Sequence, residues 1–180
     1  MVARTQAEPK GSATLRAGAL VLITLVLGGV GSGKSAFAES LFLGDPSPVT
    51  YFATMDSGYD GVAERIEHHR RRRPPHWRTL ECGAELPGQL LSTTGPALVD
   101  SLGAWVVRFP DFEADAGALV AALRAREDPV VLVSEEVGFS PLAPTASGIA
   151  FQEAMGRVNQ AVASVADRAC LVVAGRVVEL

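Results

Sequence analysis

Short apolar runs alternate along this chain with longer segments whose apolar residues recur at helical spacing. The run VLITLVL (21–27) predicts a buried strand, and KSAFAESLF (34–42) the helix that follows it. PVTYFAT (48–54) predicts a second strand, and YDGVAERIEHHRR (59–71) a helix with Val62 and Ile66 four apart. PALVD (96–100) is a short strand closed by a carboxylate, and DAGALVAALRAR (115–126) a helix. Pro129 opens a further strand, PVVLVSEE (129–136), and IAFQEAMGRVNQAVASVADR (149–168) reads as a long helix. The runs ACLVVAG (169–175) and RVVEL (176–180), joined at Ala174–Gly175, predict a closing hairpin. Such alternation defines an α/β fold, a mainly parallel sheet flanked by helices. A chain of 180 residues can bury one sizeable core and is short for two, so residues 20–180 are expected to form a single domain. The first nineteen residues are small and polar without periodicity, and are expected to be a disordered tail.

Composition narrows the classes. Hydrophobic residues make up 48% and charged residues 20%, as in ordinary globular proteins. A net charge of −4 and a pI near 5.4 argue against a general nucleic-acid binder. The apolar run from Leu20 to Leu27 is too short to span a membrane and is followed by no cleavage-site pattern, so a cytoplasmic protein is expected. Cys82 and Cys170 have no metal-ligand spacing and read as reduced, structural thiols.

The chemistry begins at GGVGSGKS, comprising Gly28, Gly29, Val30, Gly31, Ser32, Gly33, Lys34 and Ser35. It fits the phosphate-loop pattern G-x-x-x-x-G-K-[ST], with a strand before it and a helix after it. Glycines let the backbone curl into a nest of N–H groups facing phosphate oxygens, and the helix N-terminus adds partial positive charge. Lys34 reaches the β- and γ-phosphates in this pattern, and the Ser35 hydroxyl holds Mg²⁺. The only other lysine is Lys10; all remaining basic residues are Arg or His, so Lys is kept where a compact point charge must fit a loop. The pattern implies nucleoside-triphosphate binding. It also calls for a strand-end carboxylate near Mg²⁺, for which Asp100, Glu135 and Glu136 are candidates; Asp100 fits the apolar-run-then-Asp pattern slightly better. Kinase, GTPase, motor ATPase and nucleotidyltransferase all remain open on this loop alone.

The stretch IEHHRRRRPPHW (66–77) holds all three histidines, His68, His69 and His76, beside Arg70, Arg71, Arg72 and Arg73. As metal ligands the histidines are poor: neighbours on a helix point about 100° apart, and four guanidiniums repel a dication. An arginine run in an acidic protein is commonly a solvated helix end. The chemical alternative is a reactive centre. A neutral imidazole can attack a phosphoryl centre, adjacent cations disfavour the imidazolium, and guanidiniums can neutralise departing pyrophosphate. The helix-end and reactive-centre readings both stand on these residues alone.

Together, LGGVGSGKSAFAE, YFAT (51–54), RIEHHRRRRPPHWRTLE (65–81), VLVSEEVGFSPLAP (131–144), GRVNQAVASVAD (156–167) and LVVAG resemble the bifunctional adenosylcobinamide kinase/adenosylcobinamide-phosphate guanylyltransferase family of cobalamin biosynthesis. The resemblance covers about Leu20 to Leu180 and implies a P-loop NTPase fold. It implies two reactions: phosphorylation of the corrinoid adenosylcobinamide by ATP or GTP, and transfer of GMP from GTP, through a histidine–GMP intermediate, to adenosylcobinamide-phosphate. The family's guanylylated histidine falls on His68. Its nucleotide contacts fall on the phosphate loop, on Ala53, Thr54 and Met55, on Arg70 to Arg73, and on Glu81 and Asp100. Ser35 and Asp100 would hold Mg²⁺, His69 and His76 would be structural or orienting, and the oligomer would be a homotrimer. The chain departs from the family in having Gly31 where Arg is common and Glu135 where Asn is common. After Pro144 it has TASGIA in place of the usual E-[NS]-R-L-A-R, and the segment between 100 and 115 is short. A guanylyltransferase without kinase activity, a plain P-loop kinase and a nucleotide-dependent regulatory module are the competing readings.

Overall fold

The computed structural model describes residues 22–43, 46–55 and 73–180. The expected tail and the helix expected at 59–71 lie outside the described residues, as do His68, His69, Arg70, Arg71 and Arg72. The chain order is β1 (Ile23–Gly28), α1 (Lys34–Ser40), β2 (Thr50–Ala53), β3 (Arg78–Glu81), α2 (Leu86–Ser92) and β4 (Ala97–Asp100). There follow α3 (Leu102–Val106), a 3₁₀ turn (Pro110–Phe112), α4 (Ala116–Arg124), β5 (Val130–Glu135), α5 (Ala146–Ala163), β6 (Arg168–Val173) and β7 (Arg176–Glu179).

The strands form one seven-stranded sheet in the order β3-β2-β4-β5-β1-β6-β7. All pairings are parallel except β6 with β7. The closing hairpin is present as expected: Ala174 and Gly175, at φ of 49° and 73°, make the two-residue turn between paired Val173 and Arg176. Two positive φ values match the right-handed twist of the strands they join.

Strand alternation divides the core between the two faces of the sheet. Ile23, Leu25 and Leu27 of β1, with Val99 and Leu132, pack under α2, α3, α4 and α5, where Trp105, Leu123 and Met155 are fully buried or nearly so. Val26, Leu98, Val131 and Val133 face the other way, against Ala38 and Phe42, with the Trp77 ring edge-on to Phe42.

The expected helix at 149–168 is shifted. It starts at Ala146, where the Thr145 hydroxyl accepts from Gly148 N–H as an N-cap, and ends at Ala163 so that Arg168 opens β6. His76, expected to be structural or orienting, is exposed in the turn before β3. Both cysteines are free and buried.

Candidate active site

The C-terminal ends of the parallel strands converge on one edge of the sheet, where open α/β sheets place their ligands. The phosphate loop leaves β1 there. Gly31 and Gly33 hold φ of 71° and 95°, a left-handed conformation that residues with a Cβ rarely adopt. Glycine meets that conformation without strain at Gly31, where the resembled family commonly has Arg. Its backbone is closed by Ser32 N–H donating to Gly29 O at 3.2 Å, and by Gly175 N–H of the C-terminal hairpin donating to Ser32 O at 2.9 Å. The hairpin turn thus rests on the loop.

Lys34 opens α1 and is only 4% exposed. A buried ammonium requires partners. It donates to Gly29 O at 3.3 Å, and its Nζ lies 3.7 Å from Glu135 Oε1. Glu135 ends β5 in register with Gly28, because β5 is the strand hydrogen-bonded to β1. Its carboxylate is held from two further sides: Ser101 Oγ donates to Oε1 at 2.8 Å and Gly103 N–H to Oε2 at 2.9 Å. A Cβ on Gly103 would overlap that carboxylate, so the approach depends on glycine. Asn159 of α5 fixes the backbone there, donating through Nδ2 to Glu135 O at 3.1 Å and accepting from Ser134 Oγ.

Asp100 ends β4, with β5 standing between it and β1. Its Oδ2 accepts from the Tyr51 hydroxyl at 2.7 Å. Burial first, then the Asp100 charge, pushes the Tyr51 phenol well above its ordinary range, so it stays a donor. Arg73, the last of the arginine run, lies with its guanidinium carbon 3.3 Å from the Tyr51 ring centroid and donates to Thr79 Oγ1 at 3.0 Å. One chain of contacts thus runs from the arginine segment through Tyr51 to the strand-end acid.

Ala53 and Met55 are half-buried on the same edge, and Thr54 is fully buried, its hydroxyl donating to Ser101 O at 2.7 Å and its carbonyl accepting from Arg108. Glu81, exposed at the end of β3, is four strands from β1. At the usual spacing of strands that is roughly 19 Å, so the structure does not bring it beside the phosphate loop. Ser35 is half-buried in the first turn of α1. Sequence reasoning gives no role to Tyr51, Ser101, Gly103 or Asn159; the signal available is their adjacency to the motifs, as in Asp100–Ser101.

Among the described residues, no group of three or more His, Cys, Asp or Glu side chains could hold a metal ion by itself. The donor set of the loop nevertheless fits Mg²⁺, which characteristically takes a hydroxyl and one or two carboxylates together with substrate phosphates and water. Among the same residues, no helix is long and apolar enough to cross a membrane.

A glycine-rich loop closing a parallel strand, a buried lysine at the start of the next helix and acids on neighbouring strand ends define a P-loop NTPase fold. The flagellar accessory protein FlaH of Methanocaldococcus jannaschii shares that fold: TM-score 0.51 and 12% identity, covering 87% of this chain and 74% of that one. The family model for cobinamide kinase / cobinamide phosphate guanyltransferase matches residues 24–180, and the chain belongs to that family of enzymes. It is 35% identical over 176 residues to the bifunctional adenosylcobalamin biosynthesis protein CobU of Escherichia coli K12, covering 86% of this chain and 97% of that one. The CobU protein of Salmonella typhimurium LT2 matches to the same extent. CobP of Pseudomonas aeruginosa PAO1, which bears the same description, is 33% identical over 160 residues, 84% of this chain and 92% of that one.

Proposed function

We propose that this chain phosphorylates adenosylcobinamide with ATP or GTP, and transfers GMP from GTP through a covalent histidine–GMP to adenosylcobinamide-phosphate, giving adenosylcobinamide-GDP. The observation that carries the reading is the phosphate loop, with buried Lys34 set against Glu135, in a chain matched over residues 24–180 to the family. Lys34 and the loop N–H groups clamp the phosphates. Ser35 and a strand-end acid, Asp100 or Glu135, would hold Mg²⁺, which supplies charge neutralisation at the transferring phosphoryl group.

His68 is the nucleophile. Its neutral imidazole attacks the α-phosphorus of GTP, pyrophosphate departs, and the N–P bond then breaks as the corrinoid phosphate oxygen takes the GMP. Arg70 to Arg73 neutralise the phosphates during both halves of that exchange. His68 lies five residues before Arg73, which is fixed over Tyr51 beside Asp100; this supports delivery of the histidine segment to the nucleotide edge. Ala53, Thr54 and Met55 complete the nucleotide contacts, whereas Glu81, at the end of β3 four strands from β1, stands apart from the phosphate loop. In the same reading residues 20–180 form the working domain behind a disordered tail at 1–19, and the enzyme acts as a cytoplasmic homotrimer.

One observation favours a guanylyltransferase without the kinase step: the segment after Pro144 forms the first turn of α5, capped by Thr145, where the resembled family has arginines. Incubation with Mg²⁺ and α-³²P-GTP, followed by a denaturing gel, tests the main reading. An acid-labile, alkali-stable label is expected on the wild type and absent from His68→Ala. No label on a protein that still binds GTP overturns the guanylyl-transfer claim. Phosphorylation of adenosylcobinamide, assayed in parallel, separates the bifunctional enzyme from the guanylyltransferase alone.

A further inference from the structure

Among the described residues, the three most exposed large apolar side chains are Val30, Phe139 and Leu142, at 83%, 82% and 74%. All three stand at the ligand edge of the sheet: Val30 in the phosphate loop after β1, Phe139 and Leu142 in the loop from β5 to α5. Single apolar residues scattered over a surface are ordinary, but several large ones on adjoining loops of a ligand edge mark a binding surface. We propose that Phe139 and Leu142, with Val30, form an apolar lip that holds the macrocycle of the corrinoid substrate beside the bound triphosphate. The proposal rests on the corrinoid reading given above and adds the surface that recognises that substrate.

Position is the first argument. β1 and β5 are hydrogen-bonded neighbours with Gly28 opposite Glu135, and Glu136 N–H donates to Gly28 O at 3.1 Å. The phosphate loop and the loop that follows β5 therefore leave the sheet side by side. The triphosphate takes the loop N–H groups and Lys34, so an acceptor that reacts with it must rest on the rim around them.

Charge is the second. Residues 137–152, VGFSPLAPTASGIAFQ, contain no charged side chain, although 20% of the chain is charged. Such a surface offers nothing to a polyphosphate. It suits a corrin ring, which carries methyl groups on its faces, neutral carboxamides around its rim and the acceptor hydroxyl at the end of one arm.

Rigidity is the third. Gln152 of α5 spends its amide inside the loop: Nε2 donates to Val137 O at 3.2 Å and to Ser140 Oγ at 3.0 Å, and Oε1 accepts from Ala143 N–H at 3.0 Å. Ser140 Oγ in turn donates to Val137 O at 2.7 Å. Gly148, in the first turn of α5, lets Ala143 close in, since a Cβ there would lie 2.6 Å from that of Ala143. These polar groups are satisfied within the loop, and Phe139 and Leu142 are what it turns to solvent. A loop fixed before the substrate arrives loses little freedom on binding, while covering its exposed Phe and Leu is favourable.

Phe139→Ala, Leu142→Ala and the double variant remove apolar area and leave the charge unchanged, whereas Phe139→Leu keeps an apolar side chain. Equilibrium dialysis of the full chain against adenosylcobinamide, with Mg²⁺ and β,γ-methylene-ATP, reads binding from the visible absorption of the corrinoid. Each alanine variant is expected to raise the Kd about threefold or more and the double variant about tenfold or more, with Phe139→Leu within about twofold of wild type. The KM for triphosphate should stay within about twofold, and labelling from α-³²P-GTP should continue. An unchanged Kd in the double variant, beside a wild type that binds, overturns the lip and leaves the corrinoid reading standing. A raised Kd that comes with loss of the GTP label marks a general disturbance and removes the assignment. A raised Kd that comes with a lower sedimentation mass makes the surface a contact between copies of this chain and overturns the lip as well. A wild type that binds no adenosylcobinamide, with or without the nucleotide, removes the corrinoid reading and the lip together.

Discussion

At Gly103 the absence of a side chain decides where a charge can stand. The Glu135 carboxylate occupies the space a Cβ would take, bonded to the Gly103 N–H and to the Ser101 hydroxyl, with Lys34 on its far side. Gly103→Ala forces the carboxylate out of that pocket and away from Lys34. Displacing the carboxylate leaves the Gly103 N–H without its acceptor, so the expected cost is about 1 kcal/mol in urea unfolding, and unchanged stability would show that water takes the place of the carboxylate. These contacts are partly legible in the sequence. The strand ending in Ser134-Glu135-Glu136 offers two acids, yet apolar-run-then-Asp patterning ranks Asp100 ahead of them for Mg²⁺. Which acid lies beside Lys34 depends on which strand lies beside β1, and no local pattern encodes that. Tyr51 stands within YFAT with no role that its neighbours reveal, because its partners Asp100 and Arg73 are 49 and 22 positions away.

Among the elements, those with a clear apolar run or stripe are readable, whatever their length, and those without one are not. The β6–β7 hairpin follows from two β-branched runs meeting at Ala174–Gly175. Strand β3 has no sequence signal because its four residues, Arg78 to Glu81, are mostly exposed at the sheet edge and show no apolar alternation. Helix α2 carries Pro87 and Gly88 in its first turn, and α3 has only five residues, so neither displays a helical stripe. The start of α5 precedes the apolar pattern because the small residues of its first turn carry no period; Thr145 marks the cap instead.

A buried cation ties the C-terminal end of α2 and the turn after it to the connection between α4 and β5. Arg126, 9% exposed, donates to Leu90 O, Thr93 O and Gly95 O at 2.6–2.7 Å. Burial lowers its pKa, and the Asp128 charge opposes that shift. Arg126→Met strands three carbonyls and is expected to cost about 3 kcal/mol, read as a shift in the urea midpoint. A wild-type midpoint in the variant would mean that water replaces the guanidinium without penalty.

Across the whole molecule the sheet separates two cores, and each contains one thiol: Cys82 on the face covered by α2 to α5, Cys170 on the face covered by α1. Burial pushes both thiols up from an ordinary value near 9 to about 11, partly opposed by Arg108 and Arg168 respectively. Because the folded values lie above the unfolded ones, the thiols favour the folded state below pH 9, and that contribution fades as pH rises through about 9 to 11. At pH 8 native protein should react slowly with a disulfide reagent, both thiols in one phase, and quickly once denatured. A single fast thiol in the native protein would show that one core opens independently. Sequence alone determined the alternating α/β class, the phosphate loop and the closing hairpin, since each is written in contiguous residues whose spacing fixes local geometry. Only the tertiary structure decided that β5 rather than β4 flanks β1, and hence that Glu135 faces Lys34 while Asp100 faces Tyr51. Strand order arises from non-local packing of both faces of the sheet, where many registers satisfy the same alternation and only the assembled core selects one.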